Sequence, residues 1–191
     1  MKKLVIKTVA FTIGLIVIAL SITYILFATL SPSSVSDVYF RLGSENMSLK
    51  YSIRAYEKSS DIDSLATLTE RAIVFKNHEL TDKYGTMLIN GEGYAAYSKS
   101  KGDGYGYYIV GSIAEAKYRQ GYKTAAMQLA LDNTESYTTV NPIRVVLSLA
   151  IESEDAQTVS LIKEGLMQRT PSDLLSSDLI VIENYLNSQG V

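Results

Sequence analysis

The sequence contains no cysteine and no tryptophan, and only one histidine, three prolines and twelve glycines among 191 residues. Without cysteine the chain can form no disulfide, thiolate nucleophile, cysteine-ligated zinc site or iron–sulfur cluster. A single histidine, His78, excludes a multi-histidine metal site within one chain. With 47% hydrophobic residues and so little proline and glycine, collagen-like and mostly disordered chains are excluded as well. The composition fits one ordinary domain with an appendage, stabilised by packing alone.

Acidic residues are missing from the first 36 positions, whereas Lys2, Lys3 and Lys7 all lie within the first seven. Residues 31–191 carry 15 basic and 20 acidic side chains, a net charge of −5. A mildly acidic body lacks the basic stripe that nucleic acids require, and it is poorly suited to binding an anionic lipid surface. We therefore expect no nucleic-acid partner, and we expect no cofactor or metal.

A run of 23 uncharged residues extends from Thr8 to Leu30. As a helix it would be about 34 Å long, enough to cross a hydrocarbon core of about 30 Å. Tyr24 and Phe27 lie near its distal end, where aromatic rings favour the membrane interface. The sequence therefore predicts a cytoplasmic N-terminus (1–7), a transmembrane helix (8–30) and a short Ser/Pro linker (31–36).

A cleaved signal peptide is the main alternative to an uncleaved anchor. Its apolar region is normally 7–15 residues long and precedes a small-x-small cleavage site. Here the run is longer, and the best candidate site, at residues 27–29, fits poorly. A lipoprotein anchor is excluded because no cysteine follows. We favour the anchor, while a signal peptide and a buried core helix remain open.

Residues 37–191 show helix signals and few strand signals, so we predict an all-α domain. Apolar residues recur at helical spacing after capping residues, as at Asn141-Pro142, Asp155 and Thr170-Pro171. Leu175, Leu179, Ile182 and Leu186 form a 4-3-4 stripe that predicts a packed helix. The predicted helices pair as hairpins, and first helices begin near residues 47, 79, 108, 142 and 172, a period of about 31.

The segment from Tyr118 through Gly121 and Tyr122 to Ala125 resembles the Tyr-x-x-Gly-x-Tyr-x-x-Ala centre of a tetratricopeptide repeat, one residue short after the glycine. This resemblance, together with the period, implies stacked helical hairpins that present a concave face to a protein partner. An irregular α-bundle is the alternative fold.

A Gly/Tyr-rich segment, residues 90–108, is the one stretch of unusual composition. We interpret it as a mobile loop covering a hairpin edge. The functional alternative is a protein-binding surface formed by Tyr94, Tyr97, Tyr105 and Tyr107, because tyrosine offers large contact area at low entropic cost. Gly102, Gly104 and Gly106 match neither a phosphate-binding loop nor a dinucleotide fingerprint.

Acidic residues and the lone histidine provide few candidates for catalysis. Asp61 and Asp63, with Glu57 one turn earlier, could hold a cation or act as an acid/base pair, but helix capping explains both aspartates more simply. Glu154 and Asp155 are interpreted as a solvated helix start, and His78 as a surface residue. We therefore predict that the protein is not an enzyme.

The function we expect is that of a membrane-anchored scaffold or adaptor in a bacterial cell envelope, binding another protein through a helical-repeat surface. A structural subunit that packs through its transmembrane helix is a second hypothesis, since Ala10, Gly14 and Ala19 allow close helix contact. A small envelope hydrolase is a third, disfavoured because its only candidate carboxylates are explained as caps. The oligomeric state is not indicated.

Topology follows from the flanking charges. Three lysines precede the apolar run, and only Arg41 lies within fifteen residues after it. By the positive-inside rule the N-terminus stays in the cytoplasm and residues 31–191 lie outside. Protease added to intact spheroplasts should therefore digest the C-terminal domain. Protection until the cells are lysed would mean that the orientation is reversed.

Overall fold

The computed structural model describes residues 2–133, 142–168 and 173–190, with side chains described from residue 9 and, in the last range, from residue 177. Within these residues the chain is all-α, with eleven helices and no strand. Two compact units are present, Met1–Ser64 and Leu65–Val191. The sequence predicted a single domain over 37–191, and the structure instead divides that range between the two units.

The first unit contains helices α1 (Lys2–Leu30), α2 (Pro32–Arg41) and α3 (Glu45–Ser59). Helix α1 includes an apolar stretch, Val9–Leu30, that is long enough to cross a membrane. Its large side chains are exposed, Phe11 at 68% for example. An exposed apolar helix at the N-terminus is compatible with a single-pass anchor or with a signal sequence.

The predicted linker at residues 31–36 is wrong, because helix α2 begins at Pro32. Proline suits the first turn of a helix, where its missing N–H leaves no bond unmade. Ser36 is fully buried, donates a hydrogen bond to the carbonyl of Ser48 (2.6 Å) and lies 2.7 Å from the hydroxyl of Ser52. These contacts join α2 to α3, so the Ser/Pro segment is part of a packed hairpin.

The last turns of α1 pack against this hairpin. Ala28 of α1 is buried together with Val35 of α2 and Tyr51 of α3, and Tyr39 and Met47 pack partly against them. The apolar run of the sequence therefore ends inside a small helical core.

The second unit begins within helix α4 (Ile62–Val74). It continues with helices α5 (His78–Ile89), α6 (Tyr94–Lys101), α7 (Tyr105–Arg119), α8 (Lys123–Asp132), α9 (Pro142–Glu152), α10 (Ala156–Met167) and α11 (Asp173–Gln189). The predicted bounds of α5, from His78 to Ile89, are confirmed. The predicted caps at Asn141 and at residues 170–172, and the side chain of Leu175, lie outside the described residues.

Four tight reversals share one geometry. In each, one residue has a positive φ and the following N–H bonds to the carbonyl five residues earlier, as in a Schellman motif. The positive-φ residues are Gly43, Lys76, Gly121 and Glu154. The bonds run from Ser44 to Tyr39, Asn77 to Ala72, Tyr122 to Lys117 and Asp155 to Ala150, at 2.8 to 2.9 Å. Ser60, between α3 and α4, also has a positive φ, but its own N–H bonds to Tyr56 four residues back.

The spacing of these reversals is regular apart from one interruption. Gly43 and Lys76 are 33 residues apart, as are Gly121 and Glu154, whereas 45 residues separate Lys76 from Gly121. The excess of 12 residues falls where α6 lies. These reversals connect α2 to α3 and α4 to α5, whereas the predicted hairpins were α3/α4 and α5/α6. The predicted period of helix starts counts α6 as the second helix of a hairpin with α5.

A core cluster of the second unit draws buried residues from α7, α8, α9, α10 and α11. Close helix contact is visible where a Cβ added to Gly85 of α5 would lie 2.6 Å from a side-chain carbon of Ile113 in α7. Helix α11 is held to α9 by Arg144, whose Nε lies 3.0 Å from both carboxylate oxygens of Asp178. Of the predicted α11 stripe, Ile182 and Leu186 are buried in this core and Leu179 packs partly against it.

The two isoleucines of α11 provide a matched pair for testing this packing. Ile182 is 0% exposed, whereas Ile180 is 58% exposed. Ile182→Ala should lower the free energy of unfolding by about 2–5 kcal/mol, because it removes buried methyl groups and leaves a cavity. Ile180→Ala should change it by less than about 0.5 kcal/mol. Urea unfolding of both variants measures the difference, and equal effects would mean that α11 does not pack on this face.

Candidate partner-binding surface

The Gly/Tyr-rich segment is helical, which differs from the expected mobile loop. It contains all of α6 and the first turn of α7. Its glycines lie at the helix ends, where Gly93, Gly102 and Gly104 adopt φ angles of 82°, 105° and 100°. Glycine adopts such angles without the steric penalty of a Cβ, so here it separates short helices.

The tyrosines of this segment contact one another. The Tyr105 hydroxyl donates a hydrogen bond to Oε1 of Glu70 in α4, at 2.7 Å. The Tyr97 and Tyr105 rings meet edge to face with centroids 5.9 Å apart, and the ammonium of Lys101 lies 5.0 Å from the centre of the Tyr97 ring. All four predicted site residues are half-buried: Tyr94 and Tyr97 in α6, and Tyr105 and Tyr107 in the first turn of α7.

Two of these phenols are held in the protonated form. Burial raises the pKa of Tyr94, and burial together with the hydrogen bond to Glu70 and its charge raises the pKa of Tyr105. Tyr105 therefore remains a hydrogen-bond donor at neutral pH and ties α7 to α4. The protein-binding role of the four tyrosines stays a prediction, with a packing role now established for Tyr97 and Tyr105.

A second surface, which we call the α7–α9 face, is formed by exposed or half-exposed residues of two neighbouring helices. On α7 they are spaced by four, three and four residues and so share one side of the helix. They are Tyr108, Ser112, Glu115 and Arg119 of α7, with Ser148 and Glu152 of α9. Arg119 donates to Glu115 at 2.8 Å, and Ser148 donates to Glu152 at 3.3 Å.

A cavity of about 410 Å³ opens where the two helices end, and it is lined by Tyr118, Arg119, Leu149, Glu152 and Ser153. Arg119 and Glu152 belong to the α7–α9 face, so the cavity and the face are continuous. The lining combines the apolar Leu149 with the hydroxyl groups of Tyr118 and Ser153 and one charge of each sign.

A hydrogen-bond network beneath this cavity joins two of the tight reversals. Asp155 lies at the start of α10, where its carboxylate accepts bonds from the N–H (3.1 Å) and hydroxyl (2.7 Å) of Thr158. The same carboxylate accepts a bond from the Tyr118 hydroxyl at 3.0 Å and pairs with the ammonium of Lys123 at 2.7 Å. The Tyr118 and Ser153 hydroxyls are 2.7 Å apart.

The electrostatics of this network reinforce it. Burial opposes the ionisation of Asp155, but the hydrogen bonds from Lys123, Thr158 and Tyr118 outweigh it and hold the pKa of the carboxyl below its usual range. The hydrogen bond to Asp155 in turn raises the pKa of Lys123. Burial raises the pKa of Tyr118, so its hydroxyl donates at neutral pH. The sequence pattern predicts only a solvated helix start at Asp155 and does not predict this network. Tyr118 in the repeat-like motif is the one sequence signal for it.

In the repeat-like motif, the buried alanine is not the one that the sequence suggested. Tyr118 is buried, and Gly121 has a φ of 87°. Ala125, however, is exposed, and the buried small residue is Ala126. Ala126 lies five residues after Gly121, the offset found in the Tyr-x-x-Gly-x-Tyr-x-x-Ala pattern.

Of the acidic candidates, Asp61 acts as a cap. Oδ1 of Asp61 accepts a hydrogen bond from the N–H of Ser64 at 2.7 Å, and this bond lowers the pKa of Asp61. Asp63 lies in the first turn of α4, and Glu57 is exposed. The backbone carbonyl of His78 accepts a bond from the Gln120 side chain at 3.1 Å. Among the residues whose side chains are described, no group of three or more acidic or histidine residues could hold a metal ion.

Comparison of the chain with protein-family models, curated proteins and solved structures found no match.

The Asp155 network predicts a pH-dependent contribution to stability. Because its folded-state pKa is lowered, the carboxylate stabilises the fold fully above its unfolded pKa of about 3.9, and this contribution is lost as the pH falls through the folded value. Asp155→Asn keeps an oxygen for the Thr158 N–H but loses the charge. At pH 7 it should cost about 1–3 kcal/mol.

Urea unfolding at pH 7 and at several lower values measures this effect. The difference between Asp155→Asn and the parent should be constant down to about pH 5 and shrink below about pH 4. The exposed Asp103→Asn serves as the control and should behave as the parent at pH 7. A difference that persisted undiminished at low pH would contradict a contribution from the ionised carboxylate.

Proposed function

We propose that this protein is a membrane-anchored, extracytoplasmic scaffold whose helical hairpins bind another protein. The observation that carries the proposal is the recurrence of one hairpin reversal at 33-residue spacing in a chain that begins with an exposed apolar helix. A repeated helical hairpin cannot bury its apolar face alone, and stacked copies create extended binding surfaces.

The tetratricopeptide-like assignment is supported by three features. The spacing of 33 residues is close to the 34-residue unit of that family. Tyr118 and Gly121 occupy the hairpin reversal, and Ala126 supplies the buried small residue of the second helix. Helix α6 with its flanking turns is then a 12-residue insertion between two units.

Retention of the N-terminal helix is supported by the packing of its end. Ala28 is buried with Val35 and Tyr51. Cleavage at the candidate site near residues 27–29 would remove Ala28 or leave it at a free chain end, and would expose the core of the first unit. An anchor keeps this core intact, and the lysines at the N-terminus favour the orientation with the hairpins outside.

The α7–α9 face is the binding surface that these features favour. In stacked hairpins the first helices of successive units line one side, and α7 and α9 are the first helices of two hairpins. The face offers one aromatic side chain, Tyr108, a cavity at its other end and charges of both signs. An extended peptide segment fits such a surface, with one side chain in the cavity and backbone groups near the serine hydroxyls.

Site-specific photo-crosslinking in intact cells tests the proposal. A benzophenone amino acid at Ser148, on the α7–α9 face, should give a discrete adduct with one protein. The same amino acid at exposed Gln157 of α10 is the control and should not. A third position, Ala95 of α6, tests the tyrosine segment.

An adduct from Ala95 alone would move the binding site to the tyrosine segment and refute the α7–α9 face. Equal adducts from Ser148 and Gln157, or none from any of the three positions, would contradict the scaffold function. Mass analysis of the membrane-bound chain should also find the residues before Ala28 retained. A mature chain beginning near residue 29 would refute the anchor.

A further inference from the structure

Three tyrosine hydroxyls meet at one point beside helix α1. The hydroxyl of Tyr24 lies 3.1 Å from that of Tyr39 in α2 and 3.0 Å from that of Tyr51 in α3. The Tyr39 and Tyr51 rings are stacked, with centroids 5.9 Å apart and planes 4° from parallel. Each of the three hydroxyls lies within hydrogen-bond distance of at least one other. The cluster therefore fixes the position along α1 at which the α2–α3 hairpin packs.

A second contact fixes the end of α1. The ammonium of Lys58 in α3 donates to the carbonyl of Leu30 at 2.8 Å and to that of Thr29 at 3.4 Å. These carbonyls have no partner within the helix, and a cation there complements the helix dipole. Tyr24 is six residues from Leu30 and Tyr51 is seven from Lys58, so α3 runs alongside α1 in the same direction. Tyr39, seven residues after Pro32, shows that α2 runs back along α1.

These two contacts locate the hairpin reversal along α1. Leu42 lies three residues beyond Tyr39, about 4.5 Å further toward the N-terminus of α1 at a rise of 1.5 Å per residue. The reversal at residues 42–44 is therefore level with about Ser21. The charged guanidinium of Arg54 lies 5.3 Å from the centre of the Tyr51 ring, which places a cation at the level of the tyrosine cluster.

This arrangement shortens the part of α1 that lipid can surround. A cation beside the tyrosine cluster is costly in hydrocarbon, so the hydrocarbon must end below that level. The uncharged residues from Thr8 to Ser21 span only about 21 Å, against a core of about 30 Å. A span that is too short is accommodated by thinning of the bilayer, by flanking residues that reach the interface or by oligomerisation. Here the hairpin attached to the end of α1 supplies flanking residues at the right level.

From this geometry, and resting on the proposed anchor, we propose that the α2–α3 reversal is embedded in the headgroup layer of the membrane that α1 crosses, with Val38 and Leu42 facing the lipid. Val38 is 52% exposed and Leu42, which directly follows α2 in a helical conformation, is 72% exposed, so their spacing of four residues puts both on one side. Arg41 and Lys50, both exposed, flank this face and suit contact with lipid phosphates. The headgroup layer, about 5–8 Å thick on each side, matches the depth between the tyrosine cluster and Leu42.

The lack of tryptophan makes this proposal directly measurable. Three single variants each introduce the only indole of the full chain: Leu42→Trp, Phe11→Trp and Glu57→Trp. Each variant is reconstituted in vesicles of zwitterionic phospholipid. Phe11 lies in the lipid-facing part of α1, and exposed Glu57 lies at the opposite end of the hairpin from Leu42. Quenching by lipids brominated at shallow or deep acyl positions reports the depth of each indole.

The expected result is strong quenching of Phe11→Trp by deep bromines and of Leu42→Trp by shallow bromines, with a blue-shifted emission for both. Glu57→Trp should show little quenching and red-shifted emission. If Phe11→Trp is quenched but Leu42→Trp behaves as Glu57→Trp does, the membrane-embedded reversal is refuted and the anchor stands. If Phe11→Trp is not quenched either, the anchor itself fails.

A second measurement guards against a variant that disturbs the hairpin. The chain has no other cysteine, so a nitroxide can be attached at Leu42→Cys alone. Its accessibility to a water-soluble relaxing agent should fall when the protein is transferred from amphipol in detergent-free buffer to vesicles. The same label at Glu57→Cys should keep its accessibility. Equal accessibility of the two labels in vesicles would overturn the proposal.

Discussion

The hairpins of this protein depend on one backbone constraint, a residue with positive φ at each tight reversal. At Gly43 and Gly121 the constraint is met by glycine. At Lys76 and Glu154 a side chain occupies the same conformation, which costs about 1 kcal/mol or more. In both of these cases the next residue, Asn77 or Asp155, accepts a hydrogen bond from the N–H three residues on and so offsets the cost. The reversals thereby become short enough for neighbouring helices to pack antiparallel.

The same reversals position the candidate binding surface. Asp155 caps α10, and it also binds Tyr118 and Lys123 at the preceding reversal, so the ends of α7 and α9 are held at a defined separation. The cavity lined by Tyr118, Leu149 and Ser153 lies directly at this junction. Its shape therefore depends on an ion pair and three hydroxyl groups, and side-chain packing supplies the rest. A binding surface supported in this way is pre-organised, which lowers the entropic cost of capturing a peptide.

Helix α1 serves two environments. Its exposed apolar side chains suit lipid, whereas Ala28 and Tyr24 near its end pack against α2 and α3. The hairpin of α2 and α3 cannot rotate about α1 without breaking the tyrosine contacts and the Lys58 hydrogen bonds. These contacts therefore fix the orientation of α2 and α3 relative to α1.

Periodicity and capping in the sequence determined most of the local structure. The all-α class, the bounds of α5, the packed stripe with Ile182 and the capping role of Asp61 followed from apolar spacing and from residue types that act over three or four positions. The long uncharged run likewise determined the exposed apolar helix. These features are local, so the sequence contains all the information that they require.

Only the tertiary structure decided which helices pair and what the polar residues do. The residue types around Pro32 and Ser36 predict a linker, but in the structure the buried hydroxyls of Ser36 and Ser52 contact each other. Asp155 is predicted to be solvated, but Tyr118 and Lys123, more than thirty residues earlier, bind its carboxylate. The Gly/Tyr segment looked like a loop because glycine is a poor helix former. Its glycines lie at helix ends, and the contacts of Tyr105 with Glu70 and Tyr97 hold it in place. Each of these contacts joins residues that are distant in sequence, so no local sequence pattern predicts it.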